Sequence, residues 1–216
     1  MEHTNLNKII FASNNQGKIA EIKKILKNYE VIGLKEADIN IDIEENGKTF
    51  TANSLIKVRA ISKYIKDRDR KLFDGIILAD DSGLCVDALD GFPGVETHRF
   101  LGKDATDEQR NEYILEQLKE KTGLERSAEF ITSISVVKSS EIYHSTGVLK
   151  GIISDHPRGT KGFGFDSIFE VIYESNMRTY NGRYSGKTLA EIPSKEKNRI
   201  SPRTKAIKKL ITEGIL

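Results

Sequence analysis

The sequence predicts a mixed α/β fold in two lobes with a cleft between them. Short branched apolar runs alternate with stretches of helical periodicity early in the chain, two long strand-like runs adjoin in the middle, and a helix closes it. No internal repeat or long linker interrupts the pattern, so residues 1–216 are expected to form a single domain.

The elements follow in order. Lys8 to Ala12 reads as a short buried strand, and Ser13, Asn14, Asn15, Gln16, Gly17 and Lys18 as a polar turn. From Ile19 the apolar positions Ile19, Ile22, Ile25 and Leu26 fall at helical spacing. N–H groups at such a helix start favour anions, and Lys18 adds a cation beside them. Ile39, Ile41 and Ile43 alternate with Asn40, Asp42 and Glu44, which predicts a strand ended by Asn46-Gly47. Thr49 opens a helix whose stripe is Ala52, Ile56, Ala60 and Tyr64, widened by Leu55 and Ile61, with Lys57 at its middle. A charged loop is expected over 66–71.

Gly75 to Ala79 is a buried strand, Asp80 and Asp81 leave its end, Ser82-Gly83 reads as a turn, and Leu84 to Leu89 resembles a further strand. Thr106 with Asp107-Glu108 starts a helix that runs through Leu118 towards Thr122-Gly123. Residues 128–137 and 142–153 read as a long antiparallel hairpin across Lys138-Ser139-Ser140-Glu141. Residues 157–166 are glycine-rich, Asn176 to Lys187 reads as a polar surface loop, and Ser201-Pro202 opens the last helix with a serine cap and proline at its first position.

Composition narrows the function. Hydrophobic residues are 38% and charged residues 31%, ordinary for a globular chain. No apolar run approaches the ~18 residues of a membrane span, and the first residues lack a signal-peptide layout, so a cytoplasmic location is expected. A single cysteine, Cys85, offers no internal disulfide and reads as a small core residue. Net charge of +2 is too small to point to nucleic acid. Seven basic residues between Lys195 and Lys209 are open to two readings, a solvated helix face or a patch that meets phosphates.

The carboxylates carry most of the chemistry. At a strand end, successive side chains point opposite ways, so Asp80 and Asp81 face different surroundings, and each needs a hydrogen bond or a cation if buried. Glu44 and Glu45 could complete an all-oxygen site suited to Mg²⁺, which takes one or two carboxylates plus substrate phosphates. A structural turn capped by Asp81 is the alternative. "SGKT" lacks the earlier glycine of a P-loop because position 181 is Asn181, and "GTKGFGF" has the wrong glycine order for a dinucleotide loop. The four histidines show no metal spacing.

Five blocks, "FASNNQGKIAEI", "EENGKTFTANSLIKVRA", "LADDSGLCVDALDGFPGVETHRF", "KGFGFDSIF" and "TLAEIPSKEKNRISPR", together resemble the inosine triphosphate pyrophosphatase family across nearly the whole chain. The resemblance implies an α/β fold with a long curved mixed sheet flanked by helices, two lobes, a central cleft and a homodimer. It implies Mg²⁺-dependent cleavage of ITP, dITP and XTP to the monophosphate and pyrophosphate, which clears deaminated purines from the nucleotide pool. Ser13 to Lys18 and Lys57 would hold the triphosphate, Glu44 and Asp81 would bind Mg²⁺, and Asp81 would serve as the base for the attacking water, with Asp80 and Glu45 in support. Ser82 would bond substrate. Phe163, Gly164, Phe165 and Asp166 would form the base pocket, Phe165 stacking on the purine, while Lys197 and Arg203 would favour a 6-oxo group.

Two departures from that family's pattern stand out: Pro202 stands where the family commonly has the histidine of a Ser-His-Arg run, and Ala52 where it usually has a glutamate at the helix start. Alternatives are therefore a pyrophosphatase of shifted or relaxed base specificity, modified pyrimidines included, and a nucleotide-binding protein without turnover. A nucleic-acid-binding module built on the 195–209 run comes third.

Overall fold

The computed structural model describes residues 7–68, 75–102, 104–172 and 181–216. The chain divides into two compact units. One takes in the chain through Asp81, Ser133–Thr146 and Ala206–Leu216, and the other Ser82–Thr132 and Gly147–Lys205. Six strands form one mixed sheet in the order β2-β1-β3-β4-β5-β6, with β1 (Asn7–Phe11), β2 (Tyr29–Gly33), β3 (Ile76–Val86), β4 (Ser127–Lys138), β5 (Glu141–Ile153) and β6 (Phe169–Val171). β1 runs parallel to β2 and β3, with Ile10 opposite Ile32 and Ile77, and β5 is antiparallel to β6. The helices are α1 (Gln16–Ile25), α2 (Phe50–Asp67), α3 (Asp107–Gln117), α4 (Asn181–Tyr184), α5 (Ser194–Ile200) and α6 (Pro202–Thr212). None of the described helices is long and apolar enough to cross a membrane.

The two-residue period of β1 and β3 organises the first unit. Ile9, Phe11, Ile76 and Leu78 pack with Ile19 and Ile22 of α1 and with Ile207 and Leu210 of α6. Ile10, Ala12, Ile77 and Ala79 pack with Val58, Ile61 and Ile65 of α2. Strands covered on both faces read as unbroken apolar runs, and each fully buried isoleucine or leucine contributes roughly 1.5–3 kcal/mol. In the second unit Leu84, Val86, Ile114, Leu149, Phe165 and Phe169 share a core. Two buried guanidiniums there satisfy backbone carbonyls, Arg110 those of His98, Phe100, Gly102 and Ala105, and Arg126 those of Leu118, Lys121, Ile153 and Ser154.

Several local expectations hold. Thr49 caps α2 by accepting the Ala52 N–H, and Ser201 Oγ accepts the Thr204 N–H with Pro202 at the first position of α6. The hairpin turns at Ser139 and Ser140, both with positive φ, as a two-residue primed turn requires.

Others need correction. The segment bearing Ile39, Ile41 and Ile43 alternates as expected, inward for the isoleucines and exposed for Asn40, Asp42 and Glu44, yet it belongs to none of the described strands. Side-chain alternation reports facing, whereas a strand also needs a backbone partner. α1 begins at Gln16 rather than Ile19, so Gln16, Gly17 and Lys18 form its first turn. β3 does not stop at Ala79; it runs unbroken through Asp80, Asp81, Ser82 and Gly83 to Val86. The aspartates are thus mid-strand, and Gly83 is a strand residue, not a turn. The buried face of α2 is Asn53, Ser54, Lys57, Val58, Ile61 and Ile65, not the Ala52 stripe. Residues 176–180 of the expected surface loop and 69–71 of the charged loop lie outside the described residues, while Asn181–Tyr184 of the former are helical.

Candidate active site

Two groups of sequence-selected residues assemble, one in each unit. In the first unit the pleat of β3 separates the aspartates. Asp80 shares the side of Ile76 and Leu78, where α1 packs, and Asp81 that of Ile77 and Ala79, where α2 packs. Lys18 Nζ of α1 accordingly lies 3.4 Å from Asp80 Oδ1, with both side chains buried. Lys57 Nζ of α2 lies 3.8 Å from Asp81 Oδ1 and 2.8 Å from Glu45 Oε2. Lys57 therefore ties the acidic segment to the buried carboxylate, and Glu45 is the glutamate it reaches, whereas Glu44 is exposed.

Sequence reasoning missed Asn53. It is 1% exposed, its Nδ2 donates to Asp81 Oδ2 at 2.9 Å, and its Oδ1 accepts the Gly47 N–H at 2.8 Å. A Cβ on Gly47 would meet Asn53 Oδ1 at 2.6 Å, so glycine is needed there for the close approach. The available signal was the four-residue spacing of Asn53 and Lys57, which puts both on one helix face. Ser54 Oγ shares a hydrogen bond with Ser135 Oγ at 2.7 Å, and Thr51 Oγ1 one with Ser133 Oγ at 2.9 Å, so the first half of α2 docks through hydroxyl pairs.

Burial raises the pKa of Asp81. Lys57, the Asn53 hydrogen bond and Lys18 act in the opposite direction, and the Glu45 charge adds to the rise. Nearby, Asn15 caps α1 by accepting the Lys18 N–H at 3.0 Å, and Ser13 Oγ accepts the Asn15 N–H at 3.1 Å. The side chains of Asn14, Asn15 and Gln16 are exposed, and the first N–H groups of the helix have no carbonyl of their own to bond. Among the described residues, no group of three or more His, Cys, Asp or Glu side chains is gathered to hold a metal ion.

In the second unit the glycine-rich turn carries the other group. Asp166 is 5% exposed; its Oδ2 accepts the Phe163 N–H at 2.8 Å and pairs with Lys197 Nζ of α5. The same ammonium lies 4.8 Å from the centre of the Phe163 ring, which is 40% exposed. Phe165 corrects an expectation. Its ring is 4% exposed and stacked 6.2 Å from Phe100, so it belongs to the core, and the ring available to a planar ligand is Phe163. Alternation in "GFGF" could not say which ring faced inward. Arg203, buried at the start of α6, donates from Nη2 to Ser82 Oγ at 3.3 Å, and Ser82 also shares a hydrogen bond with Thr132. The basic run is thus split between α5 and α6, and Lys197 and Arg203 are joined to other site residues. His98 is exposed. Cys85 is half-buried in β3, its thiol pushed up to about 11, first by burial and then by Glu129 and Asp87.

Known proteins are similar to this chain in sequence and fold. A Clostridium perfringens protein named dITP/XTP pyrophosphatase is 42% identical over 208 residues, 95% of this chain and 96% of that one. A Thermoanaerobacter protein of the same name is 42% identical over 205 residues, 94% of each chain. The solved structure of the Staphylococcus aureus Ham1 protein superposes with a TM-score of 0.77 at 36% identity, covering 96% of this chain and 98% of that one. The model of the Ham1 family matches residues 9–213, and the chain belongs to that family.

Proposed function

We propose that the protein hydrolyses dITP, XTP and ITP to the nucleoside monophosphate and pyrophosphate, the 216 residues acting as one catalytic domain. The observation that carries this reading is Asp81 buried in β3 beside Lys57 and Asn53, with the Lys18–Asp80 pair one residue away on the strand. Relatives at 42% identity named for dITP and XTP supply the substrate class.

In this reading the capped start of α1, Ser13 to Lys18, presents N–H groups and the Lys18 ammonium to the triphosphate. Lys57 offsets charge on the phosphate oxygens as the bond between α- and β-phosphates breaks. Asp81 accepts the proton of the attacking water; burial lifts its pKa towards the working range of a general base. Asn53 holds the carboxylate in place, and Asp80 keeps Lys18 oriented. Phe163 offers its ring to the purine, Gly164 shapes the turn, and Asp166, Lys197, Arg203 and Ser82 supply hydrogen bonds to the base and sugar side of the nucleotide. Phe165 supports that turn from the core.

The residues also fit a divalent cation. The buried Asp81 carboxylate, held by Lys57 and Asn53, and Glu45, which reaches the same lysine, are hard oxygen donors of the kind such a cation takes. Asp81 and Glu44, with Glu45 in reserve, would hold Mg²⁺, which when bound supplies charge neutralisation and Lewis acidity at the phosphates. A homodimer belongs to the same reading, checked by light scattering at the mass of two chains.

Product analysis tests the proposal: purified protein with Mg²⁺ and ITP, XTP, dITP, GTP, ATP or dTTP, with Asp81→Asn as control. Monophosphate plus pyrophosphate from the 6-oxo purines, lost in the variant, is expected; no product from any nucleotide would refute turnover. A second reading, shifted base selectivity, rests on Pro202, whose ring starts α6 beside Arg203 and carries no hydrogen-bonding group. Unchanged turnover ratios across the purines in Pro202→His would exclude it.

A further inference from the structure

We propose that Asp107 and Asn111 of α3 are positioning residues that set the base-recognising turn Phe163–Asp166, and through it substrate selection. The inference rests on the assignment of that turn to the nucleobase in the proposed function.

Gly164 is gripped by both of its backbone groups. Its N–H donates to Asp107 Oδ2 at 2.6 Å, and its carbonyl accepts from Asn111 Nδ2 at 3.2 Å. Asn111 Nδ2 also donates to Ser167 Oγ at 3.0 Å, just beyond the turn. Positions 107 and 111 are four apart on an 11-residue helix, so both side chains leave one face.

A first-turn aspartate alone would be explained by the helix dipole. Asn111 is not explained that way. It is 5% exposed, and its Oδ1 has no hydrogen-bond partner among the described residues. A carbonyl can only accept, so the amide nitrogen must face Gly164, and the buried oxygen is left unsatisfied at a real cost. An apolar residue of the same size would avoid that cost but could hold neither Gly164 nor Ser167. The residue type at this position is therefore accounted for by the turn.

Phe165 anchors one side of the turn by close packing in the core, and the side facing α3 is open. A cavity of about 350 Å³ is lined by Asp107, Asn111, Gly162, Phe163, Gly164 and Asp166, so on this side hydrogen bonds fix the turn. Gly164 neighbours Phe163, the exposed ring, and lies two residues from Asp166, which binds Lys197. A turn freed at Gly164 would let the ring and the Asp166–Lys197 pair shift together.

The test combines amide exchange at Gly164, read by NMR, with kcat and KM for ITP and ATP. In Asp107→Ala the Gly164 amide is expected to exchange about tenfold faster, with KM for ITP raised about tenfold, kcat within about twofold, and discrimination against ATP reduced. Asp107→Asn, whose side-chain oxygen still accepts the Gly164 N–H, should restore most of both. Unchanged exchange, or faster exchange with unchanged KM and discrimination, would overturn the inference. If Asp107→Ala does not fold, Asn111→Leu, which keeps the branching and the number of heavy atoms but removes the donor, carries the same measurements. If the wild-type protein turns over no ITP, the proposed function fails, and titration with inosine monophosphate decides this inference. A tenfold loss of affinity in the variant supports it, and equal affinity overturns it.

Discussion

Replacing Asp81 with asparagine should abolish turnover and yet make the metal-free protein melt higher. The Asp81 side chain is almost wholly buried, and taking a carboxylate out of water costs several kcal/mol. The Lys57 ammonium at 3.8 Å returns about 4 kcal/mol at the effective dielectric of such a site. The two are close, and the raised pKa, with burial its largest cause, says that burial wins. Asparagine has the same shape, keeps an acceptor for Asn53 Nδ2, and leaves Lys57 its 2.8 Å contact with Glu45. The expected gain is on the order of 1 kcal/mol, a rise of about 2–4 °C for a chain of this size. The pH dependence follows from the same direction. Because the folded pKa lies above the unfolded value, the folded state keeps its proton longer. The contribution of Asp81 to stability is therefore fully present below the unfolded pKa and declines as pH rises through the folded pKa. Calorimetric melting in the presence of a chelator should show the variant ahead of wild type by a margin that widens from acid to neutral pH. A variant that melts several degrees below wild type at neutral pH would refute the reasoning, since Lys57 and Asn53 would then outweigh burial.

Other expectations concern the same framework. Lys57→Met should destabilise by about 3 kcal/mol in urea titration, because it strips a buried carboxylate of its cation; a loss below about 1 kcal/mol would mean that water already reaches Asp81. Gly151→Ala would place a Cβ 2.4 Å from the Glu170 carbonyl and 2.5 Å from the Phe169 ring, and backbone cannot yield as a flexible side chain does. A loss of about 2–3 kcal/mol on thermal melting is expected. With its thiol at about 11, Cys85 should react with iodoacetamide at pH ~8 on the order of a hundredfold more slowly than in the urea-unfolded chain. Equal rates would show that β3 opens readily at Cys85.

Local chemistry in the sequence was read reliably where a single residue type decides the geometry. The helix starts at Thr106 and Ser201-Pro202 are such places, because caps depend on near neighbours. The reading failed where a distant partner decides. Ser82-Gly83 has turn composition, but pairing across the sheet keeps β3 extended through it. The 39–44 segment has strand periodicity and no strand partner. β2 went unread, since Tyr29–Gly33 is short and its pairing with β1 is fixed by tertiary structure. The buried face of α2 was misplaced because it carries Asn53, Ser54 and Lys57, polar residues that a search for apolar stripes passes over. Those residues bond to Asp81, Ser135 and Glu45, so the departure from an apolar stripe was itself the mark of the site.

The one-position offset between Asp80 and Asp81 also governs how this chain can vary in length. A single residue inserted in β3 ahead of Asp80 would turn each carboxylate towards the helix that now serves the other, undoing both lysine contacts at once. Two inserted residues would restore the facing but carry the pair roughly 6–7 Å along the strand, beyond the reach of Lys18 and Lys57. The two lysine contacts therefore constrain the length of β3 ahead of Asp80 as strictly as they constrain its residues.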